Sequence, residues 1–315
     1  RKKKSFDNHA RRFSAGVFQI LLCFAGQFQF FHRCNMEEHF FSSDCFNIKN
    51  TLENGQCFRW NRVDKDIYQG VAAGRALRLK QYGDGVLFSC SDEDFLYWRR
   101  YFDLDTDYAA IEGRFIHDSI IGDCVKAGTG MHILRQELWE VLISFIISQN
   151  NNIKRIKGII ERMCALCGRQ AEAYGGTVYF FPSADRLAAI SVEELEKIGL
   201  GYRAPYVAKC AAAVSENPSL LDSLMQMEYA QARQSLLSTY GIGPKVANCI
   251  LLFGLRQLSA FPVDTWMKKA MLFLYPDCGA ANAQIEAYAS ERFGQDAGIV
   301  QQYIFYAARQ GVLAL

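Results

Sequence analysis

A change of hydrophobic period near residue 92 constrains this 315-residue chain more than any other feature. Before it lie short runs rich in aromatic and branched side chains: Phe58–Val63, Ile67–Ala72, Ala76–Gln81 and Val86–Cys90. Turn signals such as Gly83-Asp84-Gly85 separate them. Beyond it the spacing is helical. Leu138, Val141, Leu142, Phe145 and Ile146 fall at i, i+3, i+4, i+7 and i+8, one face of a helix. Asn150, Asn151 and Asn152 then break that helix and offer an N-cap for another over 153–166. Further helices are predicted over 193–198, 204–215, 227–239, 244–255, 265–274, 281–293 and 297–310. The fold class is therefore α+β: a small N-terminal antiparallel β-sheet domain over 36–130, followed by an all-α body over 131–315.

The net charge of +2 is the sum of unlike parts. Residues 1–35 hold seven basic residues (Arg1, Lys2, Lys3, Lys4, Arg11, Arg12 and Arg33) against Asp7 alone, leaving 28 basic and 32 acidic residues, about −4, in 36–315. The body is not globally basic, so any contact with nucleic acid must come from a local patch or from backbone donors. Residues 1–35 also resemble a signal peptide, with an apolar run behind the basic residues. However, no small-residue cleavage site follows Phe30 and Phe31, and Gln19, Gln27 and Gln29 interrupt a run too short and polar to cross a membrane. This segment is expected to be an extension outside the folded body, with Met36 as the natural start.

Eleven cysteines, scattered through apolar stretches as at Cys164, Cys210 and Cys249, point to buried free thiols in a reducing, intracellular setting. Cys164 and Cys167 form one CxxC, which cannot complete a four-ligand metal site. No cysteine follows Cys278, so no C-terminal four-cysteine run exists to hold an iron–sulfur cluster.

The sharpest local pattern runs from Leu237 to Ala247, LSTYGIGPKVA. It reads as a helix, a tight turn with Gly241 and Gly243 free to take positive φ, and a second helix begun by Pro244. Consecutive N–H groups at a helix N-terminus make an anion site suited to phosphate. An ordinary glycine-containing connector fits the same residues. Lys245 lies in the first turn of the second helix, and Cys249, four residues on, shares its face. The helix dipole there opposes a positive charge, and the neutral amine is the form that attacks carbon. Asp264, in Phe261-Pro262-Val263-Asp264-Thr265, reads first as a helix N-cap. A carboxylate beside a sugar can also stabilise positive charge developing at an anomeric carbon.

GIGPKVA followed by PVD resembles the signature of the helix-hairpin-helix DNA glycosylase superfamily. Over roughly 45–310 the chain is similar to its 8-oxoguanine DNA glycosylase/lyase family. Gly55-Gln56-Cys57-Phe58-Arg59-Trp60 matches the family's GQxFRW segment, and Gln149 to Arg155 resembles its Asn-rich segment. The resemblance implies a TBP-like N-terminal domain and roles for particular residues. Lys245 would be the nucleophile and Asp264 the catalytic carboxylate. The carbonyl of Gly55 would read the N7 hydrogen of the oxidised base. Cys249 and Phe305 would sandwich that base, and Gln301 would bond its Watson–Crick edge. Asn150 would fill the gap left by the flipped nucleotide, Tyr202 would wedge the strands, and Arg155 and Arg203 would read the opposite cytosine. Gly241 and Gly243 would meet the phosphates.

The partner so implied is damaged double-stranded DNA, with no metal, no cofactor and no membrane, and the protein would work as a monomer in the cell, in cytoplasm or nucleoid if bacterial. Animal members carry a histidine two residues after the catalytic Asp, paired with a downstream acid. Trp266 and Ala308 stand there, so no role of that pair carries over. Two other functions remain open: excision of a different oxidised or alkylated base, and a hairpin module that only binds DNA.

Overall fold

The computed structural model describes residues 37–42 and 45–315; the expectations about the segment before Met36, and Met36 itself, fall outside these residues. Five antiparallel strands, β1 (Glu37–Ser42), β2 (Trp60–Asp64), β3 (Ile67–Ala72), β4 (Arg75–Tyr82) and β5 (Gly85–Cys90), form a sheet in the order β1-β5-β4-β3-β2. Alternation sets which face is buried: Leu77, Leu79, Val86 and Phe88 are all fully covered. They pack with Trp98 and Phe102, on and just after the helix Asp92–Tyr101, in a core separate from that of the helical body. The Trp60 indole donates to the Tyr101 hydroxyl at 3.0 Å, so this large ring is buried without an orphaned N–H.

The helix Leu138–Ile147 is the axis of the body. It was expected to be apolar along one face, yet every residue from Val141 to Ile147 is buried. Ile143 and Ile147 extend the stripe around the cylinder, and the helices Ile153–Cys167, Ala204–Glu216 and Pro244–Phe253 pack about it. Asn152 caps the helix that follows, its side chain accepting from the Arg155 N–H at 2.9 Å.

The sheet and the body are joined by buried ionic groups. Asp103, in the left-handed region at φ +54°, accepts from the Tyr108 hydroxyl (2.9 Å), from Arg135 Nε (2.7 Å) and from Arg256. Arg59 is buried on the other side, bonded to Glu161 (2.9 Å), the Tyr179 carbonyl (2.7 Å) and the Cys164 sulfur (3.2 Å). Such charges are tolerable because each is met by several partners; removing one partner strands the rest. Eight of the described cysteines are buried free thiols, Cys164, Cys167, Cys210 and Cys249 among them. No described helix is long and apolar enough to cross a membrane.

Candidate active site

The hairpin turn connects the helices Tyr229–Leu237 and Pro244–Phe253. Gly241 takes φ +86°, as the sequence requires of the turn, and an added Cβ would lie 2.4 Å from the Tyr206 ring. Gly243 corrects the expectation. It is the helix N-cap at φ −93°, ψ 176°, ordinary extended backbone, so no positive φ is needed there. A Cβ at Gly243 would meet nothing within 4 Å; this glycine keeps the approach to the helix N-terminus open.

Lys245, in the first turn behind Pro244, reaches a narrow cavity whose wall also includes Asp264, Cys249, Gly55, Gln301 and Phe305. Six residues spread from 55 to 305 thus converge on one place. Sequence reasoning did not assign Asn54, Phe145, Phe253, Pro262 and Gln302, which complete the lining. The Lys245 ammonium lies 5.4 Å above the Phe145 ring centroid, and that ring stacks on Phe253 at 5.3 Å. Burial pushes the Cys249 thiol up; Lys245, which hydrogen-bonds the sulfur, acts the other way, and Asp264 adds to the rise. A buried thiol held neutral is an apolar wall rather than a nucleophile.

Asp264 is the N-cap of the helix Thr265–Leu274, accepting from the Met267 N–H at 2.8 Å. Cap and cavity roles coincide, because the N–H groups that hold the carboxylate also aim it. Gln301 and Gln302 are both buried on the helix Ala297–Arg309. Gln301 Nε2 donates to the Pro262 carbonyl at 3.1 Å. Gly55 sits at φ +85°, and a Cβ there would come within 3.6 Å of Phe305. The cavity measures about 50 Å³, and Phe305 in its wall is half-buried, its ring 5.6 Å from the Arg309 guanidinium.

The remaining predicted residues lie on and around a second feature, the loop Gln149–Asn152. Asn150 is exposed and left-handed at φ +44°. Arg203, expected to read the opposite cytosine, is buried: it donates to the carbonyls of Gln149 (2.7 Å), Asn150 (2.9 Å) and Leu200 (3.2 Å). Tyr202 is half exposed with the Arg203 guanidinium 4.3 Å from its ring, and Arg155 is exposed. Gln149 Nε2 donates to the Gly241 carbonyl at 2.9 Å, tying this loop to the hairpin. The structure also supplies the local patch that net charge left open. Tyr202, Tyr206 and Tyr240 form a file with centroids 6.1 and 5.0 Å apart, Lys209 stands 3.9 Å over Tyr240, and Lys154 is exposed nearby in the chain.

Trp266 is half exposed, whereas Ala308 is buried, so the indole is not packed in place of the missing pair. Among the described residues, Glu37, His39 and Asp92 have metal-ligand spacing. They lie on β1 and at the helix after β5, outside the cavity, and two of the three are exposed.

The family description "8-oxoguanine DNA glycosylase, N-terminal domain" matches residues 39–142, and "HhH-GPD superfamily base excision DNA repair protein" matches 143–294. The N-glycosylase/DNA lyase OGG1 of Arabidopsis thaliana is 34% identical over 82% of this chain and 76% of its own length. The chain belongs to the 8-oxoguanine DNA glycosylase family. A probable N-glycosylase/DNA lyase of Methanothermobacter thermautotrophicus is 31% identical over 85% of the chain and 95% of its own length. Among solved structures, the Clostridium acetobutylicum 8-oxoguanine glycosylase/lyase, in complex with double-stranded DNA containing cytosine opposite 8-oxoguanine, superposes with a TM-score of 0.84 at 34% identity. The match covers 88% of this chain and 98% of that one. The sheet followed by a helical body is thus the architecture of this glycosylase family.

Proposed function

We propose that this chain is a bifunctional glycosylase and abasic-site lyase that excises 8-oxoguanine opposite cytosine from duplex DNA in base excision repair. The observation that carries the reading is the meeting of Lys245, Asp264, Cys249, Gly55, Gln301 and Phe305 around one cavity. An amine beside a carboxylate, walled by apolar and hydrogen-bonding groups, is what excision of a base through a covalent sugar intermediate needs.

A base within the duplex is out of reach, so the nucleotide is extruded at a cost of a few kcal/mol in stacking and pairing. Asn150, exposed at the loop apex, and Tyr202 beside it fill the space left behind. The base lies between the Phe305 ring and the Cys249 thiol. The Gly55 carbonyl accepts the N7 hydrogen that distinguishes the oxidised base from guanine, and Gln301 bonds the Watson–Crick edge. The Lys245 amine attacks C1′ and the base departs while Asp264 stabilises the positive charge on the sugar. The Schiff base that remains permits β-elimination of the 3′ phosphate. Lysine and carboxylate carry every step, and the chemistry calls on no metal or organic cofactor.

Arg155 is exposed and suited to reading the opposite cytosine. Arg203 takes part only after its guanidinium leaves the loop carbonyls it now holds. Gly241, Gly243 and the helix N-terminus behind them receive a phosphate. The protein works as a monomer, inside the cell with the DNA.

Borohydride trapping tests the reading. Incubated with a duplex carrying 8-oxoguanine opposite cytosine, the wild-type protein releases the base, nicks the strand and becomes covalently linked, whereas Lys245→Gln does none of these. A well-folded wild-type protein that releases no base and forms no adduct across a panel of lesions is a DNA-binding module only.

A further inference from the structure

Gln302 has no part in the reading above, which this inference rests on and extends. It is adjacent to Gln301 on the last long helix, is 3% exposed, and lines the same cavity. Consecutive helical residues point about 100° apart, so only their long amides can meet, and they do. Gln302 Nε2 donates to Gln301 Oε1 at 2.7 Å, while Gln301 Nε2 donates to the Pro262 carbonyl at 3.1 Å. Gln302 Oε1 is buried with no hydrogen-bond partner.

The chain of bonds has one sense only. The Pro262 carbonyl can only accept, so the nitrogen of Gln301 must face it. Its oxygen is then left to Gln302, which must present its own nitrogen. Turning the Gln301 amide over would set two oxygens against each other at Pro262 and two nitrogens at Gln302, losing both bonds. Without Gln302, only the Pro262 contact would oppose that rotation. The two orientations offer opposite patterns to a base: each end of the amide keeps one hydrogen or one lone pair for a ligand, in fixed order only while the amide is fixed.

We infer that Gln302 is a positioning residue: it locks the Gln301 amide, and so sets the donor and acceptor order with which the cavity reads the Watson–Crick edge. The base class that matches is guanine-like, with an N1–H and an exocyclic amine able to fill acceptors in this wall. The orphaned Gln302 oxygen marks a wall short of donors before the base arrives.

Two variants of similar volume test this, with 8-oxoguanine and 8-oxohypoxanthine, which lacks the exocyclic amine, each placed opposite cytosine. Single-turnover excision rates are divided by the rate at which the same protein cleaves a preformed abasic site, where no base is read. In Gln302→Met the donor is gone, and the preference for 8-oxoguanine over 8-oxohypoxanthine falls about ten-fold. In Gln302→Glu, assayed at alkaline pH so that the buried carboxyl is ionised, an acceptor faces the Gln301 oxygen and turns the amide, and the preference falls further than with Met. Both must melt cooperatively; if one does not, the other decides. Preference kept within two-fold, or an equal loss for both bases and the abasic site, overturns the inference and leaves Gln302 as packing. A wild-type protein inactive on 8-oxoguanine but active on another lesion refutes the substrate reading itself, a result distinct from any change among the variants, and the inference falls with it.

Discussion

The cavity around Lys245 and the loop Gln149–Asn152, the two halves of the proposed DNA site, are built by different means. The cavity takes Phe145, Cys249 and Gln301 from helix interiors, Lys245 from the first turn of a helix and Asp264 from a capped helix start, so their spacing follows from helical geometry. The loop has no such frame. Asn150 is left-handed, and the carbonyls of Gln149 and Asn150 are held from behind by the buried Arg203 guanidinium. On the proposed mechanism, the groups that keep bond-forming distances stand on regular elements, and the group that enters the duplex stands on an irregular turn, stabilised by charge rather than by periodicity.

The difference can be broken from either side. The largest effect belongs to the cavity. Asp264→Asn keeps an N-cap acceptor for the Met267 N–H, so stability holds while single-turnover excision drops about 10²- to 10³-fold. Asp264→Ala adds the loss of the cap, about 1 kcal/mol in a chemical melt. Wild-type rates for the Asn variant would reduce Asp264 to a cap.

Arg203→Ala comes next, on the loop side. Carbonyls of Gln149, Asn150 and Leu200 lose their donor, and stability falls by about 3 kcal/mol. Hydrogen exchange should rise selectively at 149–152; uniform exchange would show that the guanidinium does not hold the loop.

Glu140 lies in the first turn of the helix that carries Phe145 into the cavity and ends at this loop. Burial pushes its carboxyl up to about 7, against the attraction of Arg59 and with the repulsion of Glu137 and Glu161. A carboxyl raised in the folded state favours folding while protonated. That advantage is full below its ordinary value of 4.5 and lost as pH climbs through about 7. Glu140→Gln therefore raises the melting temperature at pH 8 and leaves it little changed near pH 5. A pH-independent effect would mean that the carboxyl is solvated.

The smallest effect on stability is expected from Asn150→Gly. Relief of the left-handed backbone is offset by a freer unfolded chain, so stability moves by less than about 0.5 kcal/mol. Excision should nevertheless slow, with cleavage of a preformed abasic site affected less. Equal slowing of both would move the role of Asn150 from gap filling to general DNA binding.

Sequence legibility followed the range of the forces involved. β3 and the helix Thr265–Leu274 were readable to the residue because alternation, caps and turn glycines are local signals. β1 was missed because EEHFFS does not alternate, and the hairpin of Gln170–Ala173 with Gly176–Tyr179 because QAEA puts only alanines at its alternate positions, with no branched or aromatic side chain. Lys245 and Asp264 stood out through the turn and the cap that position them. Phe145 and Phe253 did not, since an aromatic on a helix face reads as core until its neighbours are known. The burial of Arg203 and the grouping of Asp103 with Arg135 and Arg256 rest on contacts between distant segments, which no spacing rule encodes.

One link has a mechanical consequence. Gln149 Nε2 bonds the Gly241 carbonyl, and the Tyr206 ring fills the place of a side chain at Gly241. On the proposed reading, the turn that takes a phosphate and the Asn150 that enters the duplex are thereby fastened together like the jaws of a caliper. A gauge held near one opening leaves most of the work of deformation to the duplex, so a nucleotide step already weakened by damage should fit between the jaws more readily than stiff undamaged DNA.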